Sequence, residues 1–478
     1  MAQFAGRENE LGKLESAYSG KGPRICCIYG QPRVGTSFLA KEFCTGRRSV
    51  TVCFPEGTER EILSAMHLAA EKILPEIPAP GDYGEAFGLI GDACGDRKTV
   101  VLLDNVGYAY SETFGKALSA FAEKYIIDTE NLLILCGSPA EAVMKLSEIP
   151  LIKDNTAETI VLEPLTFRES RKLSGKMPES DAYMCYLTAG GIPLYHALMN
   201  KPDYGTCIEK CFLGTYPRLC AEAELIMRRS SVPYRYCAAI LGDIAGGCGR
   251  PIDIANGQKI SRQLCEIYLK KMESEGLIER VTPIANAPRK PVFIVRNALL
   301  EFYHTAIRNN PALAFGKKEF RDIEPLADMF LEFRFRIACR EYLKKNPRCV
   351  KTGGWWLPGE STDSMNLAAE MKDGDSEYIL LCDCKFRKEA IDSGALGNLK
   401  NRAEAMGTED VRLAMFSISG FDGGTVKAAG KENVLLIGPK EILGRISFEK
   451  CKSFFDGMSD GDPPGIPERL SPIYRRSV

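Results

Sequence analysis

Tyr29-Gly30-Gln31-Pro32-Arg33-Val34-Gly35-Thr36-Ser37-Phe38-Leu39 follows the apolar run Ile25-Cys26-Cys27-Ile28 and precedes Ala40-Lys41-Glu42-Phe43. Strand, glycine loop and helix thus come in the order that a phosphate-binding loop requires. Gly30 and Gly35 let the backbone curl around phosphate oxygens with successive N–H groups pointing inward, and Ser37 offers a hydroxyl to a magnesium ion. The expected nucleotide-binding residues are Gly30, Gln31, Pro32, Arg33, Val34, Gly35, Thr36, Ser37 and Phe38. The spacing Gly30-x4-Gly35-x-Ser37 meets the motif at every position but one, because Thr36 stands where lysine is required. A hydroxyl cannot supply the missing ammonium. Arg33 is a surrogate cation by residue type, but the fourth loop position is expected to face solvent.

Working outward, Thr99-Val100-Val101-Leu102-Leu103 ends in Asp104-Asn105. A buried strand closing on an acid is the Walker B pattern, so Asp104 and Ser37 form the expected magnesium pair, and the residue after the acid usually polarises the attacking water. Asn105 holds that second place, where an amide orients water but cannot take its proton. A third run, Leu132-Leu133-Ile134-Leu135-Cys136-Gly137-Ser138, predicts another parallel strand with a polar residue at its carboxyl end. Three such strands separated by helical stretches predict an α/β fold with a doubly wound parallel sheet. Upstream, FAGRENELGKLESAY predicts a Gly-Arg-Glu turn and a helix with Leu11, Leu14 and Tyr18 on one face.

Beyond the third strand the texture changes. Glu163-Pro164-Leu165-Thr166-Phe167-Arg168-Glu169 is followed by the turn Ala189-Gly190-Gly191-Ile192-Pro193. Between Pro233 and Pro283 the pattern reads as a helix from Tyr236, a short helix near Ile252 to Asn256, a helix from Ser261 to Gly276 and a hairpin, the order of a winged helix. Arg262, Lys270 and Lys271 on the third helix could meet DNA phosphates, while Glu266, Glu273 and Glu275 offset them, so DNA contact and mere packing both stay open. The last part carries Gly353-Gly354-Trp355-Trp356 and a strand leading into Cys382-Asp383-Cys384-Lys385. Asp383 and Lys385 at i and i+2 share a strand face, as a nuclease carboxylate and ammonium would.

Bulk composition sets limits. A chain of 478 residues, 45% apolar and 26% charged, is too long for one core and suggests about three domains. A net charge of -1 provides no global basic field for nucleic acid. The eighteen cysteines lie mostly in apolar runs and read as reduced core thiols, and three histidines leave little for a zinc cluster. No stretch is apolar for long enough to span a membrane or serve as a signal core, so the expected location is the cytoplasm.

Taken together, FAGRENEL, YGQPRVGTS, LLDNV, LCGSP, PLTFRES, GGIPLY, the winged-helix segment, GGWW and CDCKF resemble the prokaryotic, largely archaeal, P-loop ATPases of the STAND and AAA+ division. Members of that family often carry a C-terminal domain similar to restriction endonucleases, of PD-(D/E)xK type. The resemblance implies a P-loop domain over residues 1–165, a helical lid over 166–230, a winged helix over 231–312 and a small α/β endonuclease-like domain over 313–478. It also implies that Pro193 lies near the adenine and that Arg168 senses phosphate. Several departures fall at chemical positions: Thr36, Asn105, and, in the last domain, Phe335-Arg336 and Ser364-Met365-Asn366 in place of acids. Asp383 and Lys385 are then vestigial.

Loss of one charge-assisted phosphate contact costs about 1.5–3 kcal/mol, or roughly 10–100-fold in affinity, so binding survives where turnover suffers. The expectation is a degenerate member, a pseudoenzyme that binds ATP or ADP with Mg2+ at Ser37 and Asp104. It would act as a nucleotide-dependent regulator or scaffold, with double-stranded DNA, a protein partner or a second copy as candidate partners. An active ATPase acting on DNA and a metal-dependent nuclease are the alternatives.

Overall fold

Continuous apolar runs build the first sheet. The computed structural model describes residues 4–137, 140–284, 290–308, 310, 313, 319–357, 365–374 and 376–444. The chain divides into two units, Met1–Leu173 with Ile192–Ala197, and Ser174–Gly191 with Leu198–Val478.

In the first unit, β1 (Ile25–Gly30), β2 (Ser49–Cys53), β3 (Val100–Asp104), β4 (Leu132–Gly137) and β5 (Thr156–Leu162) form one sheet in the order β2-β3-β4-β1-β5. Every pairing in it is parallel. β3 and β4 are buried at every position, as a parallel strand covered on both faces must be. The two-residue period sends Val101 and Leu103 into a core with Phe54, Met66, Phe87 and Phe114, and Val100 and Leu102 into a second core with Leu14, Leu39 and Phe43. Leu14 comes from the helix Glu8–Ser19, and Leu11 and Tyr18 pack against the same core as the sequence predicts. The sheet is a doubly wound parallel one with the glycine loop at the carboxyl end of β1.

The second unit begins with helices, among them Glu179–Ala189, Arg218–Arg229, Tyr234–Ala245, Pro251–Gly257 and Arg262–Ser274. An antiparallel pair follows, β6 (Ile278–Val281) and β7 (Val292–Val295). The long helix Glu324–Lys344 leads to a mixed sheet of β8 (Cys349–Trp355), β9 (Asn366–Asp373), β10 (Ser376–Lys385), β11 (Val411–Ser417) and β12 (Leu435–Ile437), ordered β12-β11-β10-β9-β8. β8-β9-β10 run antiparallel and β10-β11-β12 parallel. The segment after β6 runs beside β8, with the Gly354 amide donating to Thr282 O at 3.1 Å and the Ile284 amide to Gly354 O at 3.0 Å. A Cβ on Gly353 would lie 2.3 Å from Thr282 O, which explains the glycine there.

Arg334 and Glu301 form a buried ion pair in this unit, 3.0 Å apart and 10% and 5% exposed. Arg334 Nη1 also donates to the backbone oxygens of Val295 and Arg296, which is how a buried charge is tolerated. The cysteines of the described residues are free thiols, mostly buried. Among the described residues no helix is long and apolar enough to cross a membrane.

Each unit holds a buried histidine. Burial pushes His196 down to about 4. Burial, aided by Arg308 and opposed by Glu224, brings His304 to about 4 as well. The unfolded chain titrates these groups near 6.5, so from there down to about 4 it takes up protons that the folded chain refuses. The stability they provide is fully present above pH 6.5 and is lost as pH falls towards 4, on the order of 3 kcal/mol for each histidine. Urea midpoints are expected to drop between pH 7 and 4.5, and His304→Leu to flatten part of that drop.

Candidate functional site

Gly35, at φ 105, caps the helix Thr36–Cys44 without any side-chain hydrogen bond. The first amides of a helix have no partner within it, and together with the helix dipole they favour an anion. A Cβ on Gly35 would meet nothing within 4 Å, so the space beside the loop is open. Gly30 is needed for the opposite reason, since a Cβ there would lie 2.6 Å from Leu162 O and 2.9 Å from Val34 Cγ1. Val34 is buried at 1% exposure and its amide donates to Gln31 O at 3.2 Å, closing the loop on itself. Pro32 and Arg33 are exposed, with Arg33 in the left-handed region at φ 68. Thr36 is buried in the first turn of the helix, and Phe38, 42% exposed, stacks on Phe4 at 5.7 Å.

Strand register supplies the second half of the site. Cys53 pairs with Asp104, Asp104 with Cys136, and Cys136 with Ile28, so one row crosses the sheet directly behind the loop. Asp104 Oδ1 accepts from the Ser37 hydroxyl at 2.5 Å and from the Cys136 thiol at 3.4 Å. Its Oδ2 takes the Lys41 ammonium at 2.7 Å and the Cys53 thiol at 3.7 Å. Burial, followed by the charge of Asp104, pushes Cys136 well above the ordinary thiol range and raises Cys53, so both remain protonated donors. Desolvation lowers the affinity of Lys41 for its proton, yet Asp104 outweighs it and holds the ammonium above its usual value.

Ser37 and Asp104, the expected metal pair, are therefore brought together, but in company the sequence reading missed. Mg2+ needs near-octahedral oxygens at about 2.0–2.1 Å. Here the carboxylate already has four donors on it, one of them a cation, and that arrangement does not fit the ion. The overlooked signal was spacing, since Lys41 is four residues after Ser37 and so lies on the same helix face. Arg7 was missed too. Its guanidinium donates to Val34 O at 3.3 Å and Glu163 O at 2.6 Å and pairs with Glu10, tying the loop to the segment after β5.

Of the other expected residues, Asn105 touches this cluster through Cys53 and Arg168 stands apart from it. Asn105 sits at φ 57 with its amide 3.8 Å from Cys53 Sγ, and its backbone approaches Gly137 so closely that a Cβ there would lie 2.6 Å from Asn105 Cα. Arg168 is exposed on the one-turn helix Phe167–Ser170, and among the described residues no hydrogen bond or ion pair joins it to Ser37 or Asp104. Pro193 opens the helix Pro193–Leu198. Ser138 and Ser364 lie outside the described residues.

In the second unit Asp383 and Lys385 are 3.2 Å apart and share a cleft of about 700 Å³ with Asn366. The Asn366 amide donates to Cys382 O at 3.2 Å, while its Oδ1 has no partner among the described residues. Arg336 is not in that cleft. It lines a separate apolar crevice with Phe333 and Met365, whereas the preceding residue, Phe335, meets Phe386 at 5.5 Å beside Lys385. One residue is about 100° of helix, so Arg336 turns into that crevice while Phe335 turns towards Phe386.

On the helix Arg262–Ser274, Arg262 is neutralised by Glu266 at 3.1 Å, and Glu273 is taken by Arg280 of β6 at 3.4 Å. The adjoining strand β6 is engaged by the long helix, through Arg340 on Glu279 at 2.6 Å and Lys344 at 3.8 Å.

No protein-family model matches the chain. A Methanocaldococcus jannaschii protein described as uncharacterized protein MJECL04 is 25% identical over 398 residues, covering 79% of this chain and 86% of that one. Among solved structures, the Aeropyrum pernix ORC2 protein in ADPNP–ADP complexes is 14% identical, over 68% of this chain and 94% of that one, at a TM-score of 0.43. The Aeropyrum pernix ORC1 protein in complex with DNA is 13% identical, over 63% and 92%, at 0.36. A Pyrococcus horikoshii Signal Transduction ATPase with Numerous Domains, PH0952, is 13% identical, over 73% and 46%, at 0.33. The fold is read from the strand order and the glycine loop.

Proposed function

We propose that this chain is a nucleotide-binding protein of AAA+ and STAND type that takes ATP or ADP on Gly30–Ser37, hydrolyses it poorly or not at all, and acts as a nucleotide-dependent regulator or scaffold. The observation that carries the reading is the open, uncapped start of the helix Thr36–Cys44 behind Gly35, set against Asp104 through Ser37. Loop and helix amides bind and orient the phosphates, and the Phe38 and Phe4 rings offer an apolar face for a base. Proton removal from water is what the site lacks, because Asn105 has no basic atom and Thr36 provides no charge for the transferring phosphoryl group. Pro193 near the base and Arg168 as phosphate sensor belong to the same proposal.

We divide the chain functionally as the resemblance implies, with a lid over 166–230, a winged helix over 231–312 and an endonuclease-like domain over 313–478. The ion pairs Arg262–Glu266 and Arg340–Glu279 favour a winged helix used mainly for packing, with duplex DNA or a protein as the partner sought. Of the positions that the resemblance assigns to metal ligands in the cleft at Asp383 and Lys385, Asp383 alone is an acid and Asn366 is an amide, fewer acids than a hydrolytic metal site uses, while Glu389 and Asp392 line the cleft outside that motif.

Calorimetry with ADP and ATP tests the central claim, and absence of heat with both would sink it. Steady-state phosphate release is expected at background, and plasmid DNA incubated with magnesium or manganese to stay intact. Turnover lost in Asp104→Ala, or cleavage lost in Lys385→Ala, would overturn the inactive reading.

A further inference from the structure

We propose that the Lys41 ammonium takes the place of the divalent cation in this site, so that the nucleotide binds without a metal. The inference rests on the nucleotide-binding reading above and adds the cation requirement of that site. A P-loop normally supplies two cations to the phosphates, the loop lysine and a magnesium ion held by the loop hydroxyl and the strand acid. Thr36 removes the first. At the second place the hydroxyl and the acid are both present, joined at 2.5 Å, and an ammonium is on the acid at 2.7 Å.

Lys41 reaches that place for a geometric reason. It follows Ser37 by one turn of the helix Thr36–Cys44, so the two side chains rise on one face and converge on the same carboxylate. Asp104 is wholly buried. A buried carboxylate must be paired, and here the pairing is complete without an ion, through one hydroxyl, one ammonium and two thiols. Adding a dication would bring like charge against Lys41 and take the carboxylate from donors that already satisfy it. The lysine is half exposed, however, and its stem has four flexible carbons, so the ammonium can lean from Asp104 towards a phosphate oxygen while the hydroxyl keeps the acid in place. One positive charge then serves where the usual site has three, which suits retention of a nucleotide better than transfer of its terminal phosphate.

The test is ADP binding by the full chain, by calorimetry or with a fluorescent ADP, in excess EDTA and in excess magnesium. Wild-type Kd is expected to agree within about threefold between the two conditions. Lys41→Gln is expected to bind about tenfold or more weakly in EDTA, the scale of one charge-assisted bond, and to recover in magnesium because the acid becomes free for the ion. Lys41→Arg keeps the charge and is expected to behave as wild type in EDTA. If Lys41→Gln proves misfolded by circular dichroism, the wild-type and Lys41→Arg titrations decide alone. A wild type that binds only with magnesium, or a Lys41→Gln unchanged in EDTA, would overturn the metal-free proposal and leave nucleotide binding standing. No binding by wild type in either buffer would overturn both.

Discussion

Gly35→Glu should abolish nucleotide binding, with no heat on titrating ADP into a variant that still melts cooperatively. Two effects combine. Gly35 holds φ 105, where a side chain costs about 1–3 kcal/mol of strain. That strain is local and bearable for a core as large as the first unit's. The second effect is decisive for binding, because a Cβ at Gly35 projects into the open space beside the loop. A carboxylate there would lie against the free amides, filling the anion position and repelling phosphate. Gly35→Ala separates the two, since it brings the strain without the charge, and an intermediate loss of affinity is expected from it. A Gly35→Glu protein that binds ADP as wild type does would mean that the loop is not the site.

Glu301→Ala is expected to destabilise the second unit by about 3–5 kcal/mol, the usual cost of leaving a buried charge without its partner. Arg334 is 10% exposed on its side chain, so its guanidinium would be left in the interior with no carboxylate against it. Its contacts to Val295 O and Arg296 O, at 3.4 and 3.3 Å, are long and uncharged and cannot replace a carboxylate. The double variant Glu301→Leu with Arg334→Met removes both charges and is expected to recover most of the loss. Urea denaturation followed by near-ultraviolet signal distinguishes the three proteins. Equal midpoints for Glu301→Ala and wild type would show that the pair contributes nothing.

The three central strands of the first sheet were legible because their signals are local, whereas the edge strands β2 and β5, which carry no continuous apolar run, were not predicted. Continuous apolar runs ending at Gly30, Asp104 and Gly137 give strands covered on both faces, and Gly30 and Gly35 mark a loop that only glycine can make. That Ser37 meets Asp104 was legible from the motif, but the ammonium on that acid was not. That Lys41 meets Asp104 depends on which strand lies behind the helix, a matter of sheet order rather than of spacing alone. Arg7 was quoted within a motif and given no role, since its acceptors, Val34 O and Glu163 O, are main-chain atoms that no residue type announces. That Arg336 turns into the crevice with Phe333 and Met365 was not legible, because sequence fixes a position on a helix but not the face it turns to. The pair Gly353-Gly354 was taken as a family mark, whereas close approach of Thr282 and Met365 accounts for it.

That close approach also bears on the behaviour of the last sheet in isolation. β8 is the outermost strand, and its free side is met at Gly354 by Thr282 and Ile284, with Pro283, which has no amide hydrogen, bridging to Gly354 between them. A fragment cut after residue 284 would carry β8 with a bare row of peptide groups, the template on which chains stack into aggregates. The segment 282–284 thus covers the one point of the edge next to Trp355, and a terminal sheet expressed without it is expected to aggregate more readily than one that keeps it.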